Sequence, residues 1–426
     1  MHSATLCNTI NKIIMRSILQ QIRKLITFPK RSWKTILFHR EYTAWVDELR
    51  NDKTQFIQYT EKPYQRSAGD VKIFAFYLPQ FHSIPENDVA YGKGFTEWTN
   101  VASAFPQFVG HYQPKIPYDL GFYNVLQPGV MERQVEIAKS YGIYGFCFYY
   151  YWFSGKKLLE KPLEYFLHSN IDFHFHFCWA NENWSKRWDG GNLEVIMEQH
   201  FRADDADSFF EDISPYVKDS RYEKIDGHPI LTIYNPLLFE KEEFLIFTKR
   251  LNELAVQHGI PTFCLISTTR NGFSSFKEYG FDGAMEFPPN NLWPHCHESP
   301  IRQVHPYNPI KVLDIHNYLA NKQHLTDIDY PVFKTCLPSW DNTPRRAYSG
   351  AQCITVSDDE FCIWLSDIIQ WTKKYNAPNK QIIYINAWNE WAEGAILEPT
   401  TRYGYKNLEM VKNCIEQNRT SSTEQN

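Results

Sequence analysis

QIIYINAWNEWAEGAILEPT, residues 381 to 400, opens as a buried strand and closes in carboxylates and indoles. Residues 381–388 are apolar at nearly every position, and Glu390 and Glu393 follow, three apart, around Trp391. One plain explanation is the start of a helix, where acidic side chains favour the positive end of the dipole. It explains one glutamate better than two. A strand that ends in polar and aromatic groups is also what a parallel barrel presents at the carboxyl ends of its strands. The rest of the chain is therefore read for strands of the same kind.

Seven such runs precede this one: VKIFAFYLPQF (71–81), GIYGFCFYYYW (142–152), DFHFHFCWA (172–180), PILTIYN (229–235), TFCLISTT (262–269), GAMEF (283–287) and PVFKTCLPSW (331–340). Amphipathic segments lie between them. GVMERQVEIAKSYG sits between Pro128 and Gly142, EKEEFLIFTKRLNELAVQHG places Phe244, Phe247, Leu251 and Leu254 on one face, and SDDEFCIWLSDIIQWTKKYN begins with a serine and acidic cap. KNLEMVKNCIEQN reads as the closing helix. Near-continuous apolar strands alternating with helices indicate a parallel sheet covered on its outside. Eight of them favour a closed (β/α)8 TIM barrel, expected over residues 71–418 and followed by a polar tail, 419–426.

The residues that follow each run are the candidate site. Strand one ends in Tyr77, Gln80 and His82, strand two in an aromatic cluster that includes Tyr150 and Trp152, and strand three in Trp179, Asn181, Glu182 and Trp184. Strand six contributes Glu286, strand seven Trp340 and Asp341, and strand eight Asn386, Trp388, Asn389 and Trp391 beside Glu390 and Glu393. Side chains alternate along a strand, so about half of each cluster faces a pocket, and sequence alone leaves open which half. Three connections, 82–127, 185–223 and 288–330, exceed what a barrel needs. The first carries Glu97, Trp98 and His111 in an aromatic context and is expected to form a wall of the pocket.

Composition supports a binding role of one kind. Thirteen Trp, 26 Tyr and 30 Phe exceed what a core requires, and flat amphipathic rings suit flat apolar faces such as those of sugars. A net charge of -5 with 22% charged residues gives no reason to expect nucleic acid. Nine cysteines, odd in number and without CxxC spacing, indicate a reducing cytoplasm rather than a disulfide scaffold. HCHE at 295–298 lacks a second cluster at metal-site spacing, so no metal is expected there.

The first 45 residues differ in kind, with eight Lys or Arg against Glu41 alone. Ile10, Ile14, Ile18, Ile22 and Leu25 recur at helical spacing with basic residues between them, which is the pattern of a basic amphipathic helix. Charges interrupt it too early for a secretory signal or a membrane-spanning helix. It suits either an in-plane helix on an anionic membrane surface, peripheral at the inner face, or a helix docked on the main domain. Residues 46–70 read as a polar linker.

Two carboxyls about 5 to 5.5 Å apart suit retaining chemistry at a glycosidic bond, and residues three apart on one helical turn have Cβ atoms about 5 to 6 Å apart. The spacing of Glu390 and Glu393 fits if the chain turns helical after Trp388. An indole-lined setting raises one carboxyl, and Asn386 or Asn389 could keep the other ionised.

FYLPQFH (76–82), GFTEWTNV (94–101), GHYQPKIPYDLG (110–121), GFCFYYYWFSG (145–155), CWANENW (178–184) and NAWNEWAEGAILEP (386–399), in this order over roughly residues 71–405, closely resemble the WbsX-type glycosyltransferase family of bacterial surface-polysaccharide gene clusters. That family is similar to glycoside hydrolase family 99, the retaining endo-acting α-mannosidases and α-mannanases. The resemblance implies a (β/α)8 barrel acting on glycosidic bonds of an oligosaccharide or polysaccharide, with neither metal nor nucleotide cofactor. It implies that Glu390 assists the sugar's own 2-hydroxyl, which attacks the anomeric carbon, and that Glu393 acts as acid and then base. The hydrolases carry a histidine where this chain has Ala392, and their first-strand motif differs from FYLPQFH. Two other classes are weighed: a non-catalytic glycan-binding barrel, disfavoured by both glutamates being present, and a barrel enzyme for phosphorylated metabolites, for which no Gly-rich turn follows strands seven or eight. Glu398, five residues beyond the pair, is expected to matter little.

Overall fold

The computed structural model describes residues 40–48, 51–186, 194–304, 310–326, 329–346 and 350–419. The chain divides into two compact units, Met1–Thr54 and Gln55–Asn426. In the first, residues 40–48 are helical, and the amphipathic pattern of residues 10–25 lies outside the described residues.

The second unit is built on parallel strands β1 (Lys72–Tyr77), β2 (Gly145–Phe153), β3 (His174–Trp179), β4 (His228–Ile233), β5 (Cys264–Thr268), β6 (Gly283–Met285), β7 (Val332–Phe333 and Thr335–Cys336) and β8 (Ile382–Ile385). They pair in chain order from β1 to β6, and β8 pairs with β1. The interrupted β7 completes the circuit: its first half pairs with β6 and its second with β8. The interruption is at Lys334, whose buried ammonium ion-pairs with Glu286 at 2.8 Å and lies over the Trp371 ring. The expected helices are Val130–Ser140, Lys241–Gln257, Asp358–Tyr375 and Lys406–Gln417, the third capped reciprocally by Ser357 and Glu360.

Because both faces of every strand are buried, the alternation absent from the sequence is recovered in the contacts. Phe74, Phe76, Tyr149, His176 and Tyr384 pack together inside the barrel, where the Tyr384 hydroxyl meets His176 Nε2 across β3 and β8. Tyr150, Trp152 and Trp179 point the other way. Tyr150 stacks on Phe177, and Trp152 and Trp179 pack on Phe209 of the covering helix Ala206–Val217.

Part of the expected linker belongs to the barrel unit. Ile57 bridges Gly404, Tyr64 N–H bonds to Ser140 O, and Asp70 ion-pairs with Arg419 at 3.0 Å. These contacts pack the segment from Gln55 onward against the barrel unit rather than leaving it free. The eight described cysteines are unpaired. Among the described residues, no helix is long and apolar enough to cross a membrane.

Candidate active site

No helix follows β8 directly. Asn389 and Glu390 pair antiparallel with Ala395 and Ile396, and one 3-10 turn, Trp391–Glu393, closes the hairpin. Gly394 makes this turn possible: at φ +61° it adopts the left-handed conformation that a side chain resists, and an added Cβ would press on Asp341 and Lys115. Neither glutamate side chain caps a helix, and the helical turn expected after Trp388 is a single 3-10 turn inside a hairpin.

The hairpin is held from below by the two indoles that made the sequence conspicuous. Trp388 and Trp391 both donate their N–H to Glu398, at 3.1 and 2.6 Å, and Gln134 and Tyr123 donate to the same carboxylate. Burial pushes Glu398 up to about 7, with the four donors pulling against it. The expectation that Glu398 matters little is thus corrected. It is a buried hub, and the indoles serve it rather than a ligand.

Above the hub, Glu390 and Glu393 share one guanidinium. Arg345 donates from Nη1 to Glu393 Oε1 and from Nη2 to Glu390 Oε2 at 3.1 Å and Glu97 Oε1 at 3.0 Å. Glu97 Oε1 also accepts the backbone N–H of Ala392, one of the two residues between the pair, at 3.0 Å. Trp340 completes the arrangement by donating its indole N–H to Glu393 Oε2 at 3.0 Å. Burial first, then the charges of Glu393 and Glu97, push Glu390 well above the carboxylate range, while Arg345 opposes them. Asn386 and Asn389, expected to stabilise a carboxylate, do otherwise. Asn386 donates to Pro288 O, and Asn389 exchanges two hydrogen bonds with the Leu78 backbone, tying the hairpin to β1.

Glu390 and Glu393 lie in a cavity of about 520 Å³ at the carboxyl ends of the strands, with Tyr149, Tyr151, Trp184, Tyr234, Trp293 and Trp340 among its walls. Of the candidate contacts, Glu182, Trp184 and Trp340 line it. Glu182 pairs with Arg270, also of the cavity, at 2.8 Å. Trp184 packs edge-on against Tyr151 and donates to Asn87.

The remaining candidates are framework. Tyr77 donates to Gln134 on the outer side of β1, Glu286 pairs with Lys334, and Asn181 exchanges hydrogen bonds with the Asn235 backbone. Gln80 and His82 are buried away from the cavity walls, and burial lowers His82 to about 4. Trp98 packs on Trp391 and donates to Tyr123 O. His111 accepts the Gln107 N–H at Nδ1, which leaves Nε2–H to donate to Asp341 at 2.8 Å. Burial alone would raise Asp341, but His111, Lys115 and Gln113 together hold it below the usual carboxylate range. Tyr150, Trp152 and Trp179 face outward, and their neighbours Tyr149 and Tyr151 face the cavity.

The long loop 82–127, expected as a wall, instead lies behind the hairpin and delivers Glu97 to it. The walls come largely from residues 180–185, 287–293, 340–346 and 350–352. Sequence reasoning missed Tyr234, Arg270 and Arg345. The first two follow strands four and five directly and could have been found by extending the same strand-end rule to them; Arg345 follows Trp340, Asp341 and Asn342 in PSWDNTPRR.

A (β/α)8 barrel with paired carboxylates in an aromatic cavity at the carboxyl ends of its strands is an arrangement met among carbohydrate-active enzymes. The Glycosyltransferase WbsX family model matches residues 73–411, and the chain belongs to that family. A relative called uncharacterized protein WxcX, from Xanthomonas campestris pv. campestris (strain ATCC 33913), is 39% identical over 345 residues, which is 80% of this chain and 49% of the relative. Its counterpart in strain B100 matches to the same extent. The chain thus spans about half the length of the curated relatives it matches. A solved GH99 endo-alpha-mannosidase from Bacteroides thetaiotaomicron shares the fold at 13% identity and a TM-score of 0.51, covering 81% of this chain and 96% of that one. A structure titled glycoside hydrolase-like protein aligns at 11% identity and a TM-score of 0.52, covering 85% and 98%.

Proposed function

We propose that the chain breaks a glycosidic bond in surface-polysaccharide assembly and passes the glycosyl unit to an acceptor hydroxyl, with Glu390 and Glu393 as the working pair. The observation that carries this reading is Arg345, which joins both carboxylates at the inner end of an aromatic cavity. Retaining enzymes hold their carboxyls about 5 to 5.5 Å apart, against about 6.5 to 9.5 Å for inverting ones. Two carboxylates held on one guanidinium fork support the closer arrangement.

In the proposed reaction the bond from the anomeric carbon to the leaving oxygen breaks as the sugar's 2-oxygen closes on that carbon. The 2-hydroxyl proton passes to Glu390, and Glu393 gives its proton to the leaving oxygen. An acceptor hydroxyl, or water, then opens the strained ring, returning its proton to Glu393 while the 2-oxygen recovers its own from Glu390. Atoms and charge balance over the two steps. Burial raises the affinity of Glu390 for a proton, which strengthens it as a base once ionised, and the Arg345 guanidinium is the charge that favours that ionised form. Trp340 and Arg345 fix the direction of Glu393.

The test follows the products of α-linked manno-oligosaccharides, with and without an added acceptor sugar, by proton NMR and mass spectrometry. Retention of anomeric configuration is expected, with glycosyl transferred to the acceptor. Inversion would contradict the two-glutamate mechanism, and hydrolysis alone would replace transfer with cleavage.

A further inference from the structure

The cavity does not end at its rim. Trp293 and Gln352, two of its wall residues, also form the near wall of a second depression of about 500 Å³, which continues over Cys296, Glu298, Lys311 and Leu313. Its floor is a small sheet of His297–Glu298, Lys311–Asp314, Gln352–Thr355 and Trp340–Asp341, in which Lys311 stands in register beside Gln352. The same sheet carries Trp340, whose N–H holds Glu393 and whose ring meets Trp293 at 5.2 Å between centroids. A line of two indoles thus leads from the proposed acid to the second depression.

Charge separates the two ends of this path. At the glutamates the guanidinium groups are taken: Arg345 by Glu97, Glu390 and Glu393, and Arg270 by Glu182. Arg346, on the cavity side of Gln352, and Lys311, on its far side, pair with no carboxylate among the described residues. Lys311, beside the aromatic platform of the second depression, suits a sugar ring that bears an anion. Glu298 stands on the strand beside Lys311 and opposes such a ligand.

We infer that the second depression is a glycan subsite for an acidic sugar unit, whose ring packs on Trp293 and whose carboxylate or phosphate ester is met by Lys311. The inference rests on the proposed action on glycans and names the substrate class: an acidic oligosaccharide long enough to reach from Glu393 past Trp293. It concerns binding alone, so it stands or falls separately from the roles of Glu390 and Glu393.

The test is calorimetric titration of the full chain with mannuronate tetrasaccharide, neutral mannotetraose and mannotetraose carrying one 6-phosphate. An acidic probe should bind about five-fold or more tighter than the neutral one at low salt, and the preference should shrink as salt is raised. Lys311→Glu, at an exposed position, should abolish the preference, Glu298→Gln should enlarge it, and Trp293→Ala should weaken all three probes. Tighter binding of the phosphorylated probe than of the uronate assigns the anion as a phosphate ester, and the reverse assigns it as a carboxylate. Equal affinity for neutral and acidic probes, or an acidic preference that survives Lys311→Glu, overturns the inference.

Discussion

Glu398 shows how far a single residue can be misread. In sequence it trails the NEWAE motif, and nothing about its spacing suggests burial. In the fold it accepts four hydrogen bonds, and the proton it holds is set by burial against those donors. Glu398→Gln replaces one acceptor oxygen by an amide that faces donors, and each buried donor left unpaired costs about 1 to 3 kcal/mol. Unfolding free energy should therefore fall by about 2 to 4 kcal/mol in denaturant titrations. The proton also has a signature. The pKa of Glu398 is raised from 4.5 to about 7 in the folded chain, so between these values the folded state holds a proton that the unfolded state has released. Stability contributed by this proton is complete below the lower value and is lost as pH rises through the window. Melting temperatures measured from pH 4.5 to 7 should fall less steeply in Glu398→Gln than in the parent chain. Equal slopes would place the proton elsewhere.

At the scale of elements, the chemistry depends on a hairpin clamped by two others. The helix Glu97–Ser103 supplies Glu97, the short helix Thr343–Arg346 supplies Arg345, and both meet the turn Trp391–Glu393. Glu390 is faced by Arg345, Glu393, Glu97, Tyr149 and Tyr151. Glu97→Gln keeps an oxygen for the Ala392 N–H but removes a negative charge and releases Arg345 to act more fully on Glu390. The limb of the pH–rate profile that reports Glu390 should move toward acid. A lowered rate with an unmoved limb would mean that Glu97 is structural only.

Much of this scale was legible. Continuous apolar runs identified the eight barrel strands, and the serine and acidic cap placed Asp358–Tyr375. What the runs could not reveal was facing. A strand buried on both sides has no polar face, so Tyr149 and Tyr150 are equivalent in sequence although one lines the cavity and the other stacks under a helix. Arg345 was invisible for a different reason: its importance lies in three carboxylates drawn from distant positions, and no local pattern announces that.

The whole molecule has one seam that sequence placed differently. The expected linker ran from residue 46 to 70, but the packed unit begins at Gln55, with Ile57 and Tyr64 holding it to Gly404 and Ser140. A chain lacking residues 1–45 should unfold cooperatively with nearly the parental midpoint. One lacking residues 1–70 should lose several degrees, because Asp70, which ties Tyr64 and Arg419 together, is then gone. Equal midpoints for both truncations would show that the packed segment contributes nothing.

The central claim, that Glu390 and Glu393 perform the chemistry, is tested most directly by steady-state kinetics of Glu390→Gln and Glu393→Gln on substrates with ordinary and activated leaving groups. Glu393→Gln removes the proton the leaving oxygen needs and should lower turnover by about 10² to 10⁴ with binding nearly intact. An activated leaving group should restore much of that loss. Glu390→Gln should be at least as slow and should not be rescued, since its task is to assist the attacking hydroxyl. If both variants keep most of the parental turnover, the pair is part of the framework that Arg345 holds together, and the chemistry lies elsewhere.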